Sequence, residues 1–136
     1  MLHRPRPLAQ RAAVLTLCLA VSACSMTGER PSEEYLHYTE LLELNEERFR
    51  TCSEGFARQY AASSKASPDK IAQAAMAQCK VYGGHACHAR VEREALDVDP
   101  SLPTLQWREE RKAACRESLS QSTGEAIASQ LQDAKQ

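Results

Sequence analysis

Polar and apolar residues alternate along this chain in three long blocks that share a helical period. From Tyr35 onward, Tyr35, Tyr38, Leu42, Phe49, Cys52 and Phe56 recur at steps of three and four, with Asn45 the one polar member of the series. That spacing puts them on one side of an α-helix, predicted to run from about Ser32 to Ser63. Glu46 with Arg50, and Glu54 with Arg58, stand four apart in the favourable order on its outer surface. The second block opens on Ser67-Pro68-Asp69. This supplies a hydroxyl for the N-cap, a proline for the first turn and an acid for the helix dipole. Ile71, Ala75, Cys79, Tyr82, Ala86, Ala89 and Leu96 then share a broad face, predicting a helix to about Asp97, where the run up to Pro103 breaks it. The third block starts near Pro103 or Thr104 and reaches about Leu131. Its stripe is the weakest: Leu105, Cys115, Leu119 and Ala126 align, but Arg108 and Lys112 intrude.

Gly83-Gly84 decides the helix count. Bridging the pair costs about 2 kcal/mol relative to two alanines and leaves three helices of about 45 Å each. Their matched lengths suit an all-α, antiparallel three-helix bundle. If the pair is a turn, the bundle has four helices. The three-helix reading is the one adopted.

Composition alone describes an ordinary single domain: 136 residues, 43% hydrophobic, 5% aromatic and a formal net charge of −1. It excludes a collagen-like chain, a multi-span membrane protein and a nucleic-acid binder driven by bulk positive charge. Its distribution changes the picture. Residues 1–23 hold a basic head (Arg4, Arg6, Arg11), an apolar run from Ala12 to Ala20, and the small residues Ser22 and Ala23. The run is shorter than the roughly 20 residues that span a bilayer, and the order is that of a secretory signal. Without this segment, which carries three arginines and no acid, the net charge moves from −1 to −4.

Val21-Ser22-Ala23-Cys24 resembles the lipobox of bacterial lipoproteins. The resemblance covers residues 1–24 and no more. It implies a thioether-linked diacylglyceryl group on Cys24, cleavage just before it, and acylation of the freed amine. Such an anchor is effectively permanent, since each buried CH₂ contributes about 0.8 kcal/mol. Ser25 stands where an Asp would retain an enteric lipoprotein in the inner membrane, so the resemblance implies the outer membrane of a Gram-negative cell, with the domain facing the periplasm. The expected organisation is a signal peptide over 1–23, a tether over 24–33 and a helical domain over 34–136.

Of six cysteines, Cys18 leaves with the signal and Cys24 carries the lipid, so Cys52, Cys79, Cys87 and Cys115 remain. In an exported domain an even set implies two disulfides. Hairpin pairing, Cys52–Cys79 with Cys87–Cys115, centres each bond on an interhelical loop. The nested rival, Cys79–Cys87 inside Cys52–Cys115, is centred on Gly83-Gly84. On a continuous helix Cys79 and Cys87 would lie about 12 Å apart, beyond disulfide reach. Nested pairing therefore needs the glycine turn, and hairpin pairing is preferred.

Candidate chemistry is sparse. His85 and His88 are the only weak metal-ligand candidates, with Cys79, Cys87 and Glu92 nearby. A disulfide removes the thiolates and leaves no clear third ligand, so plain surface histidines are expected. Cys79, Cys87 and His88 loosely echo a c-type haem attachment, but seven residues separate the cysteines where two are needed. Trp107 to Lys112, with Arg116, forms a basic edge suited to an anionic head group, a glycan or an acidic helix. A solvated face of mixed pairs is the simpler expectation. Tyr35 and Tyr38 are read as core rather than as a partner contact. No nucleophile elbow, zinc-protease motif or phosphate loop occurs, so no enzyme and no cofactor is expected.

The reading that unites these features is a non-enzymatic lipoprotein presenting a helical bundle to a protein partner in the envelope, with the membrane as its second partner and no nucleic acid. In size, lipidation and helicity it resembles the pilotins of secretion systems, which grip a helix of an outer-membrane subunit; no pilotin motif is matched. A metal, redox or stress sensor, and a structural or entry-exclusion lipoprotein, are the alternatives. The anchor is testable directly. Cys24→Ala should abolish lipid labelling and globomycin-sensitive processing and release the protein from membranes; membrane retention with globomycin-insensitive processing would refute the lipobox.

Overall fold

A computed structural model describes residues 30–135. The signal read in residues 1–23, the lipidation site Cys24 and the tether up to Glu29 lie outside them. Three helices follow in order: α1 (Glu33–Ser63), α2 (Pro68–Asp97) and α3 (Leu105–Asp133). Each opens on a hydroxyl that accepts a backbone N–H three residues on: Ser32 from Tyr35 at 3.1 Å, Ser67 from Lys70 at 3.4 Å, and Thr104 from Trp107 at 3.2 Å. These caps satisfy one orphan donor at each helix start, and Glu33, Glu34 and Asp69 add negative charge in the first turns. Between α2 and α3, the Asp99 carboxylate accepts from both the hydroxyl and the N–H of Ser101, which holds its pKa below the ordinary aspartate value.

α2 passes unbroken through Gly83-Gly84, so the bundle has three helices and not four. The two glycines are not equivalent. A Cβ on Gly83 would stand 3.2 Å from the Phe49 ring, whereas one on Gly84 would meet nothing within 4 Å. Phe49 is the largest fully buried side chain, and Gly83 provides the space its ring occupies. The propensity lost at Gly83 is offset by burying a phenyl ring, worth roughly 1.5–3 kcal/mol.

The disulfides follow the hairpin pairing. Cys52–Cys79 joins α1 to α2 with Cα atoms 5.9 Å apart, and Cys87–Cys115 joins α2 to α3 at 5.6 Å. Each closes a loop of nearly thirty residues, worth about 3.6 kcal/mol in the chain-entropy account.

The buried faces differ in detail from the expected ones. Along α1 the core positions are Leu42, Asn45, Phe49, Ser53 and Ala57, so after Phe49 the seam shifts by one residue. Cys52 and Phe56 are only half-buried. A straight helix drifts about 20° per heptad against a three-four repeat, and the drift carries the interface onto two small residues. Asn45 is accommodated by donating its side-chain N–H to the Leu41 carbonyl at 2.7 Å. On α2, Tyr82 and Leu96 are exposed, and Gly83 replaces Tyr82 at the interface. On α3, Leu105 and Ala126 are exposed, and the buried positions are Cys115, Ile127 and Ala128.

α2 is the centre of the assembly. It packs along both α1 and α3, which barely meet each other. One apolar cluster gathers Ala57, Ile71, Ala72, Ala75, Ile127 and Ala128 toward the α1–α2 loop. A second holds Leu42, Ala86 and Ala89, with Tyr38, Leu41 and Leu119 against them. Alanine dominates both, so the backbones approach closely and each residue buries little area.

Three substitutions test this packing. Gly84→Ala should stabilise by about 0.5–1 kcal/mol through helix propensity, and Gly83→Ala should fall short of that gain because Phe49 must move. Ser53 is fully buried and its hydroxyl has no hydrogen-bond partner. Ser53→Ala should therefore stabilise by about 1 kcal/mol. Urea unfolding of the oxidised protein measures all three; a Gly83→Ala gain equal to that of Gly84→Ala, or a loss at Ser53→Ala, would contradict the packing account.

Candidate functional site

Because α1 and α3 lean on α2 and barely on each other, an open groove of about 500 Å³ runs between them. Phe49 and Ile127 lie buried at its base, and Leu119 and Ala126 continue the apolar lining on α3. Ser122 and Thr123 complete the α3 wall with small neutral side chains. The α1 wall is different: Glu43, Glu46, Glu47 and Glu54 line it, with Arg50 the one cation among them. A predominantly apolar floor between an acidic wall and a neutral one is the geometry of a trough for an amphipathic segment.

The ion pairs on the acidic wall are not all those the sequence spacing suggested. Arg50 bonds Glu47 and reaches Glu54 at 3.6 Å. The Arg50 hydrogen bond is the main reason that Glu47 is held below the ordinary glutamate pKa, and the same bond raises the arginine. Glu46 does not pair with Arg50; it turns across the α1–α2 interface to Arg90. Glu54 stands 3.9 Å from Arg58, as its spacing suggested. Glu43 has no ion-pair partner among the described residues, and four glutamates against one arginine leave the wall with net negative charge.

The residues singled out by sequence lie elsewhere. His85 and His88 are exposed on α2, and His88 Nδ1 stands 3.7 Å from Glu92. Cys79 and Cys87 are committed to disulfides. Among the described residues, no three His, Cys, Asp or Glu side chains converge to hold a metal. The basic edge of α3 is largely engaged within the chain. Arg108 Nε reaches both Glu92 oxygens at 3.2 and 3.1 Å and its guanidinium also bonds the Pro103 carbonyl. Arg111 pairs with Glu94 at 3.0 Å and lies 4.7 Å over the Trp107 ring, and Lys112 pairs with Glu109 at 3.2 Å. The Arg108–Glu92 and Arg111–Glu94 pairs fasten the start of α3 to the end of α2. Tyr35 and Tyr38 are half-buried, with Arg93 5.7 Å over the Tyr35 ring.

The apolar spacing assigns Phe49, Leu119 and Ala126 to a closed core, whereas in the structure they line an open groove. The signal that could have found it was the narrow stripe of α3, wide enough for one neighbouring helix and not for two.

No protein-family model, curated protein or solved structure matches this chain. No helix among the described residues is long and apolar enough to cross a membrane.

Proposed function

We propose that this protein is a lipid-anchored, non-enzymatic adaptor of the bacterial envelope that holds an amphipathic helix of a partner protein in the α1–α3 groove. The observation that carries the reading is the groove: two helices stapled to a third but left apart, with an apolar floor between them. Its acidic α1 wall favours a helix whose apolar face is flanked by Lys or Arg. The small side chains of Ser122, Thr123 and Ala126 let such a helix approach the α3 backbone closely.

The setting rests on three further supports. Val21-Ser22-Ala23-Cys24 carries the lipobox pattern behind a basic and apolar leader. The paired cysteines fit an oxidising compartment, since disulfides persist there and are rare in the cytosol. Ser25 after the lipidated cysteine favours the outer membrane, with the domain in the periplasm. In this arrangement the protein works as pilotins do, by binding a helix at the membrane rather than by chemistry.

Site-specific photocrosslinking of the lipidated protein in cells tests the groove. A crosslinker at Ser122 should give one discrete adduct. A crosslinker at Ala113, nine residues away and therefore on the opposite side of α3, should not give it. Ala126→Trp, which fills the groove from an exposed position, should reduce the Ser122 adduct at least tenfold while helicity is unchanged. Equal, diffuse products from both positions, or an adduct that survives Ala126→Trp, would refute the proposal.

A further inference from the structure

Eight large apolar side chains stand exposed among the described residues, and four of them gather at one end of the bundle: Leu36 at 48%, Leu96 at 40%, Leu102 at 52% and Leu105 at 77%. Contacts between helices place them together. Arg93 over Tyr35 ties the last turns of α2 to the first of α1, and Arg108 with Glu92 ties the first turn of α3 to the same region. The opposite end, where the α1–α2 loop meets the last turns of α3, exposes Tyr60 alone from this set.

The apolar end is also the one where the chain continues back toward Cys24. Residues 25–32 separate that cysteine from α1, and even fully extended they span at most about 30 Å. A lipid on Cys24 therefore confines this end, and not the other, to the neighbourhood of the bilayer. We propose that the end bearing Leu36, Leu96, Leu102 and Leu105 rests on the lipid surface that anchors the protein, with Leu102 and Leu105 leading. The inference rests on the lipid-anchored part of the functional reading.

Four partly exposed leucines would hold a free protein at a membrane only weakly. A tether removes that objection, because a short linker raises the local concentration to the millimolar range. Charge narrows the kind of surface. Glu33, Glu34, Asp97 and Asp99 surround the same end and outnumber its cations, Arg93 over Tyr35 and Arg30 shortly before α1 in the sequence, whereas Arg108, Arg111 and Lys112 are paired with carboxylates of the chain itself. Such an end suits zwitterionic headgroups and the apolar boundary beneath them, and is repelled by an anionic surface. Docked in this way the bundle stands upright. Leu119 lies about 20 Å along α3 from Leu105, so the groove opens clear of the headgroups.

Trp107, the sole tryptophan, lies two residues beyond Leu105 and is half-buried, which makes it the reporter. The purified lipidated protein is mixed with phosphatidylcholine vesicles carrying bromine high on the acyl chains. Flotation and Trp107 fluorescence are then read together. Floating protein with Trp107 emission quenched at least twofold is the expected result. Leu102→Ser/Leu105→Ser should float equally and keep its circular dichroism, yet lose most of the quenching. Replacing part of the lipid by phosphatidylglycerol should reduce quenching in the unaltered protein. Protein that does not float refutes the lipid anchor, and this inference with it. Protein that floats with Trp107 unquenched, or with quenching unchanged in the double variant, refutes the docked end alone. Quenching that rises with phosphatidylglycerol overturns the assignment to a zwitterionic surface.

Discussion

Cys79 and Cys87 stand eight residues apart on α2, which turns their side chains about 80° from each other on a 3.6-residue helix, so that one bond reaches α1 and the other α3. Everything else in the bundle accommodates that arrangement. Helices drawn close by disulfides require small residues where they cross, and the interfaces supply Ala, Gly and Ser: Ala57, Ala72, Ala75, Gly83, Ala86 and Ser53. Small residues bury little area each, so the apolar clusters contribute modestly. Two separate loops together contribute about 7 kcal/mol by the chain-entropy account, comparable with the whole net stability of a typical domain. The bonds thus compensate for the thin core that their own close crossings demand.

This relation explains why the fold was so legible in the sequence. Caps and breakers are local chemistry, and Ser32, Ser67-Pro68 and Thr104 mark helix starts without help from distant residues. The disulfide pairing followed from an intact α2, because two cysteines eight residues apart on one helix cannot reach each other. The faces were less legible. A pattern read by side-chain bulk assigns Cys52, Phe56, Tyr82 and Leu96 to the interface. Where backbones approach closely, however, the buried positions are those with the least side chain, and Ser53, Ala57 and Gly83 take their places.

Gly83 shows the limit most clearly. As a propensity penalty it argued for a break in α2, and the same residue proves to be the complement of Phe49, thirty-four positions earlier in the chain. No local rule links the two; only the register imposed by Cys52–Cys79 brings them together. The groove was hidden for a related reason. The scarcity of contact between α1 and α3 leaves no motif. It is visible only as a shortage on α3, whose apolar stripe is wide enough to cover one neighbour.

The groove inherits its dimensions from this construction. Its acidic wall belongs to α1 and its neutral wall to α3, and with so little direct contact between those helices, α2 sets their separation. Near mid-length each wall is fixed to α2 by a disulfide; toward the apolar end, Arg90 with Glu46 holds α1, and Arg108 with Glu92 holds α3. A binding site between two helices that lean on a common third can admit a fourth without disturbing an existing core, since the floor formed by Phe49 and Ile127 is already packed against α2 and its neighbours. An incoming helix would supply the side chains that α1 and α3 do not supply to each other. In the proposed complex the bundle would then be closed by that helix, against an open face whose two walls are each held to α2 by close small-residue crossings.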